Sequence, residues 1–209
     1  MLPRDFAPWQ TVYSYFRKWK HEGHIELVMG YLRECVRASA GREKEASLGI
    51  VDSKSVRTTC HVDKERGIDG NKKIKGRKLS MSVDTLGLPL AMVMTPANTY
   101  DSNVMKDVVR ESVNVSGRLR KFLADGGYRG EDLANDLRNS FGVCLEIVLR
   151  PDQCPKKFNV IPMRWIVERS FAWLDFHRRL AIDHEFLSSS FIAFVQLAFT
   201  RLMLNRLAK

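Results

Sequence analysis

The sequence predicts an α/β fold: a mixed sheet flanked by helices, behind a short N-terminal helical segment. Three observations carry this. From residue 47 onward, short apolar runs bounded by turn signals alternate with helical periodicities. The early runs include a hairpin, which makes its strands antiparallel, whereas the later ones are separated by helical crossovers, which make strands parallel. Residues 1–46 show helical spacing and no strand signal. The expected division is therefore a helical segment, 1–46, and an α/β domain, 47–209.

Trp9, Tyr13, Phe16 and Trp19 recur near helical spacing with Arg17, Lys18 and Lys20 interleaved, until Gly23 ends the run. An aromatic stripe of this kind is expected to be a core face. Ile25, Val28, Leu32 and Val36 mark a second amphipathic helix, and Ala38–Ala46 is small and charged, as a linker is. Leu48-Gly49-Ile50-Val51-Asp52 is an apolar run ending in an acid, which suits a buried strand. Between Lys54 and Lys78 nine Lys/Arg face three acids. Leu79–Val83 and Leu88–Thr95 flank the turn Asp84-Thr85-Leu86-Gly87 and read as a hairpin. Asp101-Ser102 can cap a helix over 102–115. Phe122-Leu123-Ala124-Asp125 is a second strand ending in an acid, and Glu131–Phe141 is a helix stopped by Gly142. Val143–Leu149 is a strand closed by Arg150-Pro151, and helices follow at 163–178 and 189–207.

Charge points to the partner. With 34 Lys+Arg against 24 Asp+Glu the net charge is +10 and the pI about 9.6, so a polyanion is expected, nucleic acid or an anionic surface. No window offers the ~18 uninterrupted apolar residues of a spanning helix. Phe191–Leu204 is broken by Gln196, Thr200 and Arg201, and the first residues carry no signal-peptide core. A cytoplasmic protein associated with the bacterial nucleoid is the expectation. Cys35, Cys60, Cys144 and Cys154 form no CxxC pair and read as small buried or incidental residues. The histidines have no ligand spacing, Cys60-His61 is assigned no zinc, and there is no GxxxxGK[ST] loop.

The chemistry lies in three acids. Asp52 and Asp125 both close predicted strands, and in such sheets the ligand site lies off adjacent strand ends. Glu168 sits in the otherwise apolar helical run Arg164–Leu174, with Trp165, Phe171 and Ala172 at −3, +3 and +4. Trp165, Phe171, Trp173 and Leu174 are expected to pack as core around it. A carboxylate in such surroundings needs a partner. Mg²⁺ takes hard oxygen ligands, and two ions held by carboxylates suit phosphodiester cleavage. Plainer readings exist: a strand-end Asp is commonly a turn or cap residue, as Asp84 and Asp101 are expected to be, and Glu168 can pair with Arg164 or Arg169.

Six ordered blocks bear on this choice: Val51-Asp52-Ser53-Lys54; Gly70 to Lys78 (GNKKIKGRK); Val83-Asp84-Thr85-Leu86-Gly87; Pro96-Ala97-Asn98; Ala124-Asp125-Gly126-Gly127-Tyr128; and Arg164-Trp165-Ile166-Val167-Glu168-Arg169. Together they resemble the DDE transposases of bacterial insertion sequences, over about residues 3–209. The resemblance implies a ribonuclease-H-like fold and DNA cleavage and strand transfer at element ends. It further implies two Mg²⁺ or Mn²⁺ ions on the catalytic triad Asp52, Asp125 and Glu168, and a homo-oligomer on DNA. Phosphate contacts are expected from Lys72, Lys73, Lys75, Arg77, Lys78 and Arg164. In the family's helix motif Ile161 replaces a Tyr and Asp175 replaces a Lys, for which Arg178 or Arg179 is expected to substitute. Leu2–Trp9 resembles the middle of the family's N-terminal DNA-binding domain. Without the upstream helices, the Trp9–Phe16 stripe is expected to be partly exposed or packed on the catalytic domain, unless a second chain supplies them. The alternatives are a ribonuclease-H-like nuclease that cuts without joining, or a non-catalytic DNA-binding remnant competing with a full-length transposase.

Overall fold

The computed structural model describes residues 3–60, 65–148 and 163–208. Two helices, α1 (Trp9–His21) and α2 (His24–Ser39), precede β1 (Leu48–Arg57), the short β2 (Gly67–Asp69), β3 (Ile74–Val83) and β4 (Pro89–Pro96). Then come α3 (Asp101–Val115), β5 (Lys121–Ala124), α4 (Glu131–Phe141), β6 (Cys144–Ile147), α5 (Arg164–Asp175), α6 (Arg178–Ala181) and α7 (Ser188–Leu207). β1 and β3 pair antiparallel from Ile50–Val83 to Arg57–Gly76, and β4 returns along β3 by the hairpin the sequence predicts. β5 joins β1 in parallel and β6 joins β5 in parallel, with α3 and α4 as the crossovers. Three long antiparallel strands, β1, β3 and β4, with the short β2 added at the edge of β3, followed by two parallel ones, give the mixed order of a ribonuclease-H-like sheet.

Helices cover both faces. Ile50 and Val56 of β1 and Leu79, Met81 and Val83 of β3 pack with buried residues of α2, α5 and α7. Val51, Phe122 and Ala124 look the other way, into a second core with α3 and α4. Because strand side chains alternate, Asp52 and Lys54 share the face of Ile50, and Asp125 continues the face of Leu123. Both acids therefore point toward the α5 side of the sheet.

Three expectations change. β1 does not end at Asp52 but runs on to Arg57, because β3 keeps pairing with it; what ends before Asp52 is the ladder to β5, whose last pair is Ile50–Leu123. The basic stretch between Lys54 and Lys78 contains the end of β1, β2 and the start of β3. The predicted 163–178 helix breaks after Asp175, and α6 resumes at Arg178. The aromatic stripe of α1 is not core. None of its residues is buried, and Trp9 is 65% exposed. Tyr13 and Trp19 meet aromatic rings of α1 itself, and Phe16 stacks at 4.8 Å on Phe194 of α7. The stripe is thus partly exposed and partly packed on the rest of the chain, the other outcome expected of it. The end of the predicted 143–149 strand lies outside the described residues.

α2 is tied firmly to the sheet. Ile25, Met29, Leu32 and Val36 are buried, Arg33 Nη1 donates to Pro89 O at 3.0 Å, and Arg37 forms a buried ion pair with Asp84. Asp84 is the turn residue expected: its Oδ1 accepts from the amides of Leu86 and Leu88, each at 2.9 Å. At Gly76 a side chain is impossible, since a Cβ there would lie 1.9 Å from Val56 O across the β1–β3 pair.

Candidate active site

Asp52, Asp125 and Glu168 come from three elements that meet where the β1–β5 ladder stops. Asp52 Oδ1 accepts from the Ser53 amide at 2.8 Å. Asp125 follows β5 directly and divides its work. Its Oδ1 accepts from Gly127 N at 2.9 Å and holds the Gly126–Tyr128 turn, while Oδ2 faces Arg164 Nη2 at 3.6 Å. Glu168 lies one helical turn beyond Arg164, and its Oε1 stands 3.5 Å from the same Nη2. α5 reaches this place because Ile166, Val167, Phe171 and Leu174 bury one side of it against β1 and β3.

The electrostatics follow from that placement. The Asp52 carboxyl is raised to about 6: burial is the main cause, and the nearby Asp125 and Glu168 charges add to it. The Ser53 amide and Arg164 oppose the rise. Burial, and then the Asp101, Asp52 and Asp125 carboxylates, raise the Tyr128 hydroxyl well above its ordinary value. Among the described residues that buried hydroxyl makes no hydrogen bond of regular geometry, and the nearby Ser53 side chain opposes the rise. The guanidinium of Arg164, 14% exposed, lies between Asp125 (33%) and Glu168 (57%), and its buried Nε meets no acceptor among the described residues.

Hard oxygen donors on three rigid elements, with a buried hydroxyl facing the cluster, fit a divalent cation in chemistry. In arrangement they are held open: among the described residues no three His, Cys, Asp or Glu side chains stand close enough to form a ligand set as they are. Arg164 is what lies between two of them.

The remaining site residues divide. Lys72, Lys73 and Lys75 are exposed around the β2–β3 turn. Arg77 is not available to a phosphate: it is fully buried, with Nη1 3.1 Å from Asp183 and further bonds to the carbonyls of Glu65, Glu185 and Phe186. Lys78 is also buried, donating to Thr99 O at 2.8 Å and lying 3.1 Å from Asp101. Asp101 is therefore not the expected cap. It begins α3 without a capping bond and accepts instead from Ser53 Oγ at 2.8 Å. Arg178 is exposed, whereas Arg179 pairs with Glu185 and lies over the Phe194 ring. Asp175 pairs with Lys54 of β1. Sequence reasoning missed Lys54, although strand alternation from Asp52 would have placed it on the same face. Phe171 and Leu174 are core as expected and Trp173 packs partly against it. Trp165 is exposed, with the Arg169 guanidinium 4.6 Å from its ring.

The strand order, antiparallel and then parallel with helices on both faces, defines an α/β protein of the ribonuclease-H-like class. The family described as Transposase DDE domain matches residues 43–204, most of the chain, and the chain belongs to that family. A curated relative from Burkholderia cepacia, named as a transposase for insertion sequence element IS402, is 29% identical over 141 residues. The match spans 64% of this chain and 65% of that relative, just under two thirds of its length. Among solved structures, a chain of the simian T-cell lymphotropic virus intasome in complex with the PP2A regulatory subunit B56 gamma superposes with TM-score 0.46 and 12% identity. That superposition covers 74% of this chain and 47% of the other. The Mos1 transposase in its paired-end complex with the left transposon end gives TM-score 0.37 and 14% identity over 87% and 60%. No helix among the described residues is long and apolar enough to cross a membrane.

Proposed function

We propose that this chain is an insertion-sequence transposase that cleaves DNA at element ends and joins the freed ends to target DNA, with Asp52, Asp125 and Glu168 as its catalytic carboxylates. The observation that supports this most is the placement of the three acids on β1, β5 and α5 around one arginine. Residues 47–209 are the catalytic domain in this reading, and residues 1–46 are a helical segment packed on it.

When held by the three carboxylates, divalent ions such as Mg²⁺ or Mn²⁺ supply Lewis-acid stabilisation of the pentavalent phosphorus and lower the pKa of the attacking oxygen. The chain's own residues do the rest. Burial and the neighbouring carboxylates disfavour the charged form of Asp52, and a bound cation would favour it. The Asp125 bond to Gly127 N fixes the β5 end and with it one carboxylate oxygen. The exposed Lys72, Lys73, Lys75 and Arg178 contact phosphates and orient the duplex, with Arg164 reaching the phosphate nearest the acids. Water attacks phosphorus in line, the P–O3′ bond breaks, and a 3′-hydroxyl is freed. That hydroxyl then attacks a target phosphodiester and displaces the target's 3′-oxygen. The first step hydrolyses a phosphodiester to a 3′-hydroxyl and a 5′-phosphate, and the second exchanges one phosphodiester bond for another, so no covalent enzyme intermediate and no nucleotide is required.

The test separates chemistry from affinity. Asp52→Asn, Asp125→Asn and Glu168→Gln should each abolish cleavage and strand transfer of a pre-cleaved DNA end while leaving gel-shift affinity within a few-fold, because affinity comes mainly from Lys and Arg. A variant that still cleaves removes its residue from the triad. Cleavage without joining of a pre-cleaved end would instead mark a nuclease.

A further inference from the structure

We infer that Arg164 is a built-in competing cation: its guanidinium holds the place between Asp125 and Glu168 that a divalent ion must take, and an ion enters by displacing it. This rests on the proposed function above and adds what governs loading of the site.

Three observations converge. Arg164 Nη2 is within 3.6 Å of Asp125 and 3.5 Å of Glu168, so one nitrogen serves two carboxylates carried by different elements. These distances are longer than the 2.7–2.9 Å typical of a closed guanidinium–carboxylate bond, so the contact is electrostatic and loosely seated. The side chain is otherwise poorly satisfied. Among the described residues its buried Nε meets no acceptor, unlike the buried Arg77, whose Nε and both terminal nitrogens are all bonded. An arginine satisfied in this way has little to lose on moving. Asp125 and Glu168 are both partly open to solvent, which gives an ion a way in. A guanidinium cannot share the space between two carboxylates with a divalent cation, because like charges would meet at a few ångströms.

Arg164 is on this account a positioning residue. It screens the acids from each other until an ion arrives, and it lowers the affinity for that ion by the amount of the contacts that must be broken. Removing its charge therefore strengthens metal binding, whereas a purely structural role would weaken it.

The test uses the full 209-residue chain. Mn²⁺ binding is measured by the loss of the free-ion electron paramagnetic resonance signal for the parent, Arg164→Gln and Arg164→Lys, with folding checked by circular dichroism. Arg164→Gln should bind Mn²⁺ about tenfold more tightly, and Arg164→Lys, which keeps the charge, should stay near the parent. Equal or weaker binding by a folded Arg164→Gln overturns the inference. Should that variant not fold, the parent decides. Its Arg164 Nε–H resonance, assigned by its loss in Arg164→Lys, should shift when Mg²⁺ is added, and an unmoved resonance overturns the inference. Mn²⁺ binding by neither parent nor variants would overturn the metal-dependent reading as well, so the two failures are distinguishable.

Discussion

Two arginines that face carboxylates, the buried Arg77 and the partly buried Arg164, differ in a way that separates framework from function. Arg77 and Asp183 are both 0% exposed. The guanidinium also reaches three backbone carbonyls, and Asp183 accepts from the Glu185 amide at 2.8 Å. Every arm is used, and the pair ties β3 to the chain entering α7. Arg164 has the same chemistry nearby but touches its two carboxylates only loosely, and among the described residues its Nε meets no acceptor. A closed cluster is worth keeping as it is. An open one is stable only relative to something that replaces it.

The largest effect should come from breaking the closed cluster. Arg77→Met or Asp183→Asn leaves a buried group without its partner and should cost about 3–5 kcal/mol of unfolding free energy, read from urea melts of the purified chain. Arg164→Gln should cost under about 1 kcal/mol by the same measurement, as loosely made ion pairs do. Equal losses at the two sites would erase the distinction.

The next effect is one of pH. The Asp52 carboxyl sits at about 6 in the folded chain, above the ordinary value near 3.8, so between those values the folded state binds more protons than the unfolded one. Stability from this group is therefore fully present below about pH 4 and falls as pH rises through 6, by up to about 3 kcal/mol. Asp52→Asn should remove that slope, and Mn²⁺ should restore stability to the parent above pH 6 by binding the ionised site. A parent curve superimposable on that of Asp52→Asn between pH 4 and 7 would show that Asp52 is not strained by its neighbours.

The smallest effect is expected at Asp125. Asparagine keeps the oxygen that accepts from Gly127 N and removes a charge that burdens Asp52. The melting temperature of Asp125→Asn without added metal should be unchanged or slightly raised. A drop of many degrees would instead make Asp125 chiefly a turn residue.

What the sequence disclosed and what it hid follow one physical line. Local periodicity and turn chemistry revealed the β3–β4 hairpin and the crossover helices α3 and α4, because those signals lie within a few residues of each other; they made Asp52, Asp125 and Glu168 candidates, and the family resemblance singled those three out. Arg77 misled because its neighbours in the GNKKIKGRK run are charged and solvated. Its true partner lies 106 residues away and leaves no mark nearby. The continuation of β1 past Asp52 was hidden for a related reason: Ser53-Lys54-Ser55 is polar, and only its partner β3 makes it a strand. The α1 stripe was overvalued, since helical spacing shows that a face exists but not what covers it. The Arg164 contacts joined two acids that sequence reasoning had found, yet nothing local says that one nitrogen would serve both.

The pairing of α2 with α7 bears on how the protein is made. Met29, Leu32 and Val36 from the start of the chain share a core with Phe191, Val195, Phe199 and Met203 from its end. During synthesis α2 leaves the ribosome some 150 residues before its partner, and contacts so distant in sequence form late and slowly. Until α7 is released, the sheet face carrying Ile50 and Met81 lacks one of its covering helices. Competence to fold is then a property of the finished chain, and a ribosome stalled short of α7 holds an apolar surface that chaperones and proteases can recognise.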